Sequence, residues 1–408
     1  MPHRLVLFLL VWPFLALLDA LRNYRRPWAK NVVWLFSGFF GLVFVIAEGT
    51  TADSAKYAAY LEEMRGSDLS FPMLFGMFYA EGSRYLDIAQ PLLTFLVSRF
   101  TDDHRVLFGL LGFIFGYFYS RNIWFLVDRI PGRIKPYTIF LLVSFALVVG
   151  MWQINGIRFW VATHIFLFGT LAFLLEKKTW GPWVAFSAIF FHFAFLFPAG
   201  IFLVYLMAGN RLTLYFVLFV LSVAFWEIDI GVFRDLHAYL PEILQDRTDS
   251  YLGEEYLEGR ELRAESWNWY IRIHGQVMKW VILVFMGYFF LLKKSLIRHS
   301  KELLNLLSFA LLYGTFVNLA DTIPSMPRFM ALSNMLFLAF VFIASQYFYD
   351  KHINLFSKLA IPFLMLYIIV RLRYWLDYAG IFLLIGNPVI AIITKDETNL
   401  ITFIKMLL

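Results

Sequence analysis

Arg158 and His192 are the residues whose types and positions first suggest chemistry. They lie in the stretch 153–198, where two long apolar runs are joined by a short charged turn at 176–178. Arg158 stands at the start of the first run and His192 lies deep within the second. An ionisable group inside an apolar span is costly and usually faces a cavity or a polar partner. We interpret the two residues as walls of one polar pocket near the outer face of a membrane.

Four arginines are predicted to lie at the outer ends of apolar spans: Arg158, Arg328, Arg371 and Arg373. Their position departs from the usual excess of Lys and Arg on the cytoplasmic side. A guanidinium presents fixed, forked donors that match phosphate oxygens, often two at a time. The pattern therefore predicts a site for a lipid-linked phosphate or diphosphate. The alternative is that each arginine lies along apolar surface and reaches water with its charged head.

Proton transfer has three candidates at this level. His192 suits a general base or a donor to a leaving diphosphate, because an imidazole changes its charge near neutral pH. The alternative is a neutral histidine bonded to a neighbouring helix. Asp53 and Glu81 lie in a predicted external loop and could take the proton of a sugar hydroxyl, although most such carboxylates are simply solvated. Asp321 follows Asn318 by about one helical turn and is a candidate for substrate binding, with a pair to Arg328 as the alternative.

The composition indicates the elements that position these residues. The 408 residues are 61% hydrophobic and only 16% charged, whereas soluble domains carry about 25% charged residues. Apolar stretches of about 18 or more residues recur along the whole chain, as in proteins that cross a membrane many times. Because a bilayer offers no water to unpaired backbone groups, the spans should be helices. We predict an all-α, polytopic integral membrane protein with a single transmembrane domain, residues 1–408.

Charge and composition also exclude several classes of protein. The formal net charge of +6 fits the positive-inside bias of membrane proteins better than nucleic-acid binding. The absence of cysteine excludes disulfides and thiolate catalysis. The eight histidines show no metal-ligand spacing, and no glycine-rich phosphate loop occurs. We therefore expect no metal ion and no cofactor.

The positive-inside rule predicts about twelve membrane passes, some of them short or broken, with the amino terminus outside. Two larger external loops are expected. The loop 48–105 has nine Asp/Glu against five Lys/Arg, a net of −4, and the loop 229–274 has ten against five, a net of −5. The first loop should contain an amphipathic helix capped by Thr50 or Thr51 and an apolar stretch at 87–100 that is too short to span.

Two passes need special treatment in this topology. The stretch 182–208 must enter and leave the same face, so we predict a helix pair that is broken near Pro198. A last pass at about 378–393 should return the chain to the inner side at Lys395.

Five short segments resemble the EpsG-like family: ADSAKYAAY, QPLLTFLVSRF, NGIRFWVATHIFLFG, AIFFHFAFLFP and PRFMALSNMLF. The family pattern has an Asp with nearby Tyr after an early span, an Arg that opens a central span, a His in the next span and a later Arg. In this chain the matching positions are Asp53 with Tyr57 and Tyr60, then Arg158, His192 and Arg328. The family often has Glu-Pro where this chain has Gln90 and Pro91.

The resemblance implies a Wzy-type polymerase of the bacterial inner membrane. It would join undecaprenyl-diphosphate-linked oligosaccharide units at the periplasmic face, among membrane lipids, in a pathway with a flippase and a chain-length regulator. Arg158 and Arg328 would bind diphosphate, His192 would assist the leaving group or the acceptor, and Asp53 would be the candidate base. The wider set of substrate-binding candidates also includes Arg371, Arg373, Asp321, Tyr57, Tyr60 and Gln153.

Two other functions remain open on the sequence. An O-antigen ligase or a polyprenyl-phosphate-dependent glycosyltransferase would also work at the outer face. A flippase or transporter would need polar groups along a path through the membrane and often has repeated halves. Neither of these two features is visible in the sequence.

Overall fold

The chain is mainly helical and has no strand among the residues that the structure describes. The computed structural model describes residues 3–46, 52–78, 87–224, 245, 267–321, 323, 325–348, 351–394 and 396–407. Six segments are long and apolar enough to cross a membrane: His104–Val127, Pro136–Glu176, Trp269–His299, Lys301–Leu319, Met326–Tyr347 and Lys351–Tyr378. For the described residues, an all-α fold with several segments capable of crossing a membrane is thus confirmed, and the number of twelve passes stays a prediction.

The helices follow each other along the chain with few long connections between described residues. In the first half they are α1 (His3–Val11), α2 (Pro13–Arg22), α3 (Ala29–Leu42), α4 (Asp53–Gly66), α5 (Phe71–Met77), α6 (Ala89–Ser98), α7 (His104–Val127), α8 (Ile139–Val148), α9 (Ile157–Glu176), α10 (Gly181–Ser187), α11 (Leu196–Ala208) and α12 (Leu212–Ala224). In the second half they are α13 (Trp269–His299), α14 (Lys301–Leu319), α15 (Phe329–Tyr347), α16 (Lys351–Tyr378), α17 (Phe382–Ile385), α18 (Pro388–Thr394) and α19 (Leu400–Leu407).

Contacts between helix termini divide the bundle into two ends. At the end that we call lower, Arg129 follows α7 and pairs with Glu302 in the first turn of α14 at 3.1 Å. Asn305 of α14 donates to the carbonyl of Leu174, near the end of α9, at 3.1 Å. The upper end is the opposite one, where α9 begins with Arg158 in its first turn.

The 41-residue segment Pro136–Glu176 contains two helices of opposite direction. Lys135, just before it, donates to the carbonyl of Ser345 at the lower end of α15 at 2.6 Å. Phe159, at the start of α9, packs against Phe329 at the upper end of α15, with 5.1 Å between ring centroids. Therefore α8 rises and α9 descends, and a 3₁₀ segment between them makes the upper turn.

The helix pair at 182–208 turns at His192 rather than near Pro198. The chain leaves α9 at Lys178 at the lower end, and Tyr205 near the end of α11 donates to the carbonyl of Asn305, also at the lower end. His192 between them has an extended backbone, with φ −154° and ψ 118°. Pro198 lies in the first turn of α11, where a missing N–H costs no helical hydrogen bond.

The last predicted pass, 378–393, does not cross the bundle, and that prediction is wrong. Its helices α17 and α18 have only 4 and 7 residues, because a Gly-Asn-Pro sequence interrupts the apolar run. Gly380 forms an antiparallel bridge with Asn399. Arg105, in the first turn of α7, donates to the carbonyl of Ala391 at 2.8 Å. Since α7 ends at the lower end, this segment leaves and rejoins the same upper end.

The predicted external segments are described only in part. The helix predicted in the first loop is present as α4, with Ala52 at its N-cap and with Ser54, Tyr57, Leu61 and Met64 buried. Thr50 and Thr51, the predicted caps, lie outside the described residues, as do Lys395 and most of the loop 229–274. Helix α6 has 10 residues and is too short to span, as predicted. Helix α13 starts within the second predicted loop.

Glycines allow α3 and α7 to pack with their backbones in contact. A Cβ atom on Gly41 of α3 would lie 2.0 Å from the carbonyl oxygen of Phe108, and one on Gly112 of α7 would lie 2.5 Å from that of Ser37. Small residues at such crossings let membrane helices approach closely. This contact fixes α7, whose upper end adjoins α4 and α6.

Replacing Gly112 with alanine is expected to lower the free energy of unfolding by about 1–3 kcal/mol, because the methyl group would overlap a backbone oxygen that cannot move aside. Thermal unfolding of the purified protein in detergent would measure the loss. Gly287→Ala in α13 is the matched control, since a Cβ atom there meets nothing within 4 Å. Equal melting temperatures for the two variants would contradict close packing of α3 and α7.

Candidate active site

Arg158 is held by two partners that come from distant parts of the chain. Its Nε donates to the hydroxyl of Tyr57 in α4 at 3.1 Å. One terminal nitrogen, Nη1, donates to the carboxylate of Asp87, just before α6, also at 3.1 Å. The arginine side chain remains 33% exposed. The guanidinium is therefore fixed on one side and open on the other, as a binding arginine must be.

Asp87 connects Arg158 to the turn at His192. Its Oδ1 accepts the backbone N–H of Phe193 at 2.8 Å, while Oδ2 receives Arg158. The neighbouring Ile88 N–H donates to the carbonyl of Phe190 at 3.1 Å. Both carboxylate oxygens are thus engaged, and the side chain is only 8% exposed. Asp87 therefore positions Arg158 and the turn at His192, and neither of its oxygens is free to take up a proton.

In the neutral ring of His192, the proton lies on Nε2, the nitrogen that does not accept the backbone hydrogen bond. Its Nδ1 accepts the backbone N–H of Ala194 at 3.2 Å, which caps the short 3₁₀ helix that follows. A nitrogen that accepts a hydrogen bond carries no proton, so in the neutral ring the proton is on Nε2. The ring meets Phe159 edge to face, with 5.3 Å between centroids. His192 can therefore act as a hydrogen-bond donor through Nε2.

Arg328 reaches the same phenylalanine from another helix. It ends the 3₁₀ turn before α15, and its guanidinium carbon lies 5.7 Å from the centre of the Phe159 ring. Its other contact is with the hydroxyl of Ser325 at 3.3 Å. Arg328 is exposed and forms no ion pair with a described residue, so the alternative pair with Asp321 is not formed. Its charge remains available to an anion.

Tyr57 and Asp53 complete this group from one face of α4. Tyr57 is 5% exposed, and burial raises the pKa of its hydroxyl to about 12 although Arg158 acts in the opposite direction. Asp53 lies one turn before it and is also close enough to raise that pKa. Asp53 is 42% exposed and has Lys56 as a partner at 4.0 Å. It is the most accessible carboxylate of the group.

The structure brings together five of the predicted site residues. We define the Arg158 site as Asp53, Tyr57, Asp87, Arg158, His192 and Arg328. Two residues in this neighbourhood were missed from the sequence. One is Asp87, and the other is Asn155, whose Oδ1 accepts the hydroxyl of Ser54 at 2.6 Å. An acidic residue directly before a short apolar helix was the available signal for Asp87.

The remaining predicted residues lie elsewhere. Tyr60 packs into a small apolar cluster beneath α5 and α6 with Met64, Leu74, Phe78 and Phe95. Arg371 contacts Tyr367, and Arg373 pairs with Asp377, so neither joins the Arg158 site. Gln153 lies in the 3₁₀ segment Met151–Gly156, Asp321 follows the end of α14, and Glu81 is outside the described residues.

Gln90, at the position of the expected glutamate, points to a different partner. Its amide donates to the hydroxyl of Thr94 at 2.8 Å within α6. Asp87, three residues earlier and outside the helix, is the carboxylate that contacts Arg158.

Comparison with protein-family models identifies a family that covers most of the chain. The EpsG family matches residues 32–383, which include every residue of the Arg158 site. No curated protein and no solved structure matches the chain.

Proposed function

Because the chain belongs to the EpsG family, a Wzy-like polymerase family, we propose that it polymerises bacterial exopolysaccharide or O-antigen at the periplasmic face of the inner membrane. It would join oligosaccharide units carried on undecaprenyl diphosphate, with no metal ion or cofactor. A flippase and a chain-length regulator of the same pathway would be its partners. Family membership itself supports the coarser statement, a polymerase-like membrane protein of exopolysaccharide biosynthesis.

The charges at the helix termini support the orientation. The positive-inside rule assigns the end rich in Lys and Arg to the cytoplasm. At the lower end and its connecting turns lie Arg129, Arg133, Lys135, Lys177, Lys178, Arg211, Lys293, Lys294, Arg298 and Lys301. In this proposal the lower end is cytoplasmic, and the Arg158 site faces the periplasm.

The observation that carries the proposal is the convergence of Arg328 and His192 on the Phe159 ring, beside Arg158, which is joined to the His192 turn through Asp87. Arg158 has one open side, Arg328 lacks a carboxylate partner among described residues, and His192 presents Nε2–H. Guanidinium groups bind phosphate oxygens with paired, charge-assisted hydrogen bonds. Aligned donors that meet developing negative charge are usually the largest contribution to catalysis. The site suits a diphosphate that gains charge as it leaves.

The reaction in this proposal is a displacement at the anomeric carbon of the growing chain. A hydroxyl of the new unit attacks that carbon, the new glycosidic C–O bond forms, and the C–O bond to undecaprenyl diphosphate breaks. Arg158 and Arg328 stabilise the departing diphosphate, and His192 donates a hydrogen bond to it. Asp53 accepts the hydroxyl proton, since its carboxylate is accessible while both oxygens of Asp87 are occupied. Glu81 is a second candidate for this role.

Lipid extracts from a strain that lacks the gene would test the function. A polymerase mutant should accumulate single repeat units on the carrier, displayed at the outer face, and should lose long polysaccharide. A ligase mutant would accumulate polymer on the carrier instead. A flippase mutant would retain single units at the inner face, where externally added enzymes cannot reach them. Either of the last two patterns would refute the polymerase.

The donor role of His192 can be separated from its structural role. Asparagine and aspartate can both accept the N–H of Ala194 and so preserve the turn, but only asparagine keeps a donor. We expect His192→Asn to retain at least about tenfold more polymerisation than His192→Asp, and His192→Ala to lose about 10²-fold. Rates would be compared per amount of inserted protein.

A histidine at the same end of the bundle provides the control for these variants. His104 lies 3.7 Å from Glu397 and has no contact with the Arg158 site. His104→Ala should keep close to wild-type polymerisation. Equal activity of the His192→Asn and His192→Asp variants would show that Nε2–H is not needed.

A further inference from the structure

A second cation lies among aromatic rings at the upper end, apart from the Arg158 site. Arg371 in the last third of α16 donates through Nε to the hydroxyl of Tyr367 at 3.0 Å, and its guanidinium carbon lies 5.1 Å from the centre of that ring. His274 of α13 stacks on the same ring, with 5.8 Å between centroids. We call Arg371, Tyr367 and His274 the Arg371 cluster.

The charge of Arg371 has no carboxylate partner among the described residues. This sets it apart from Arg373, two positions later, which pairs with Asp377. Because Tyr367 occupies Nε, the forked terminal nitrogens of Arg371 are the donors that remain. A half-buried guanidinium whose fork is open and uncompensated is suited to bind a phosphate group from two directions.

His274 adds an acceptor beside this cation. Its Nδ1 lies 2.6 Å from the carbonyl oxygen of Ile271, so Nδ1 carries the proton and Nε2 of the neutral ring is an acceptor. The Arg371 cation can bind a phosphate, while His274 Nε2 can accept a hydrogen bond from a hydroxyl group. The cluster therefore fits a phosphate that is linked to a hydroxyl-rich group such as a sugar. An isolated phosphate would make no use of the acceptor.

A short series of hydrogen bonds links α16, the helix that carries Arg371, to α4, the helix that carries Asp53. Tyr378, at the end of α16, accepts the amide of Asn155 at 3.4 Å, and Asn155 in turn accepts the hydroxyl of Ser54 at 2.6 Å. Ser54 is adjacent to Asp53 of the Arg158 site. No described side-chain contact runs from the Arg371 cluster directly to the Arg158 site.

We propose that the Arg371 cluster is a second diphosphate-sugar site, which holds the lipid-linked unit that accepts the growing chain. The inference rests on the proposed function, since polymerisation requires two lipid-linked substrates at once. The Arg158 site would hold the diphosphate that leaves, and the Arg371 cluster the diphosphate that stays bonded to its sugar. Unlike His192 in the Arg158 site, His274 offers an acceptor rather than a donor beside the terminal nitrogens of Arg371. This is expected where the bound diphosphate does not leave and develops no additional charge.

Native mass spectrometry of the purified full-length protein in detergent would test this proposal, with undecaprenyl diphosphate as the probe. The wild-type protein should bind two probe molecules. Arg371→Gln and Arg158→Gln should each bind one, with at least about tenfold weaker binding at the altered site. Arg272→Gln, an exposed arginine on α13 near His274, is the matched control and should bind two. Tyr367→Phe, which frees Nε of Arg371, should weaken one site only.

The outcomes distinguish this inference from the function itself. One bound probe in the wild-type protein, lost in Arg158→Gln but kept in Arg371→Gln, would overturn the second site and leave the polymerase standing. No bound probe at all would overturn both. Displacement of the Arg371-dependent probe by an equal concentration of phosphatidylglycerol would identify an ordinary phospholipid headgroup site and would also overturn the proposal. Resistance to that competition supports it.

Discussion

Replacement of Arg158 by alanine is expected to abolish long polysaccharide, and replacement by lysine is expected to lower the polymerisation rate by about 10²–10³-fold. Lysine keeps the positive charge of Arg158. It lacks the two terminal nitrogens of the guanidinium and the Nε that donates to the Tyr57 hydroxyl. It cannot hold Asp87 and Tyr57 on one side while presenting two donors to a diphosphate on the other. Polysaccharide chain length on gels, together with the amount of inserted protein, would measure the effect.

A double variant separates this loss from misfolding. Arg158→Gln alone leaves the carboxylate of Asp87 buried and uncompensated, which destabilises a protein. In the double variant R158Q/D87N both charges are gone, so stability should recover while polymerisation should not. Normal chain lengths in Arg158→Ala cells, or activity that returns with stability in the double variant, would exclude a role for Arg158 in binding the diphosphate.

Asp87→Asn is expected to lower polymerisation by about 10–100-fold with little loss of folded protein. Asparagine can still accept the N–H of Phe193, so the turn at His192 should remain in place. It no longer carries the charge that holds Arg158, and the guanidinium should lose its fixed direction. Asp87→Ala removes both bonds and should also lower the melting temperature.

The matched control for Asp87 is Asp102, an exposed carboxylate at the same end of the bundle. Asp102→Asn should leave polymerisation and stability unchanged. For a positioning residue, the rate constant should fall more than the affinity for the lipid-linked substrate, measured with purified protein. A loss in Asp87→Asn confined to the melting temperature, with normal activity per folded molecule, would assign Asp87 a purely structural role.

Long apolar runs made most of the fold predictable. Helices α7, α14 and α15 each coincide with one long apolar run of the sequence, because a run of that length in a bilayer has to be a helix. The turn at 182–208 was misplaced, since proline is a helix breaker in the interior but is tolerated in a first turn. The last pass failed because hydropathy ignores a short interruption that divides one span into two fragments.

The candidate site was less predictable, and the reason is geometric. Topology assigns a residue its approximate depth, so Arg158, Arg328 and Arg371 were all expected near the outer end of the bundle, and their common depth stays a prediction. Depth does not say which side of the bundle a residue faces, and Arg371 belongs to a different group. The bond from Asp87 to Arg158 joins positions 71 apart in the chain, and no local spacing encodes it.

The 3₁₀ segments at the upper end have a consequence for the surroundings that a sugar meets there. Segments 151–156 and 188–190 both adjoin α9, segment 193–195 follows the turn at His192, and each interrupts the regular ladder of an α-helix. Backbone groups outside such a ladder must be solvated or covered by protein, because hydrocarbon cannot satisfy them. Wherever protein does not cover these groups, water has to reach them. A hydroxyl-rich substrate could then approach its lipid anchor at this end without shedding its hydration shell.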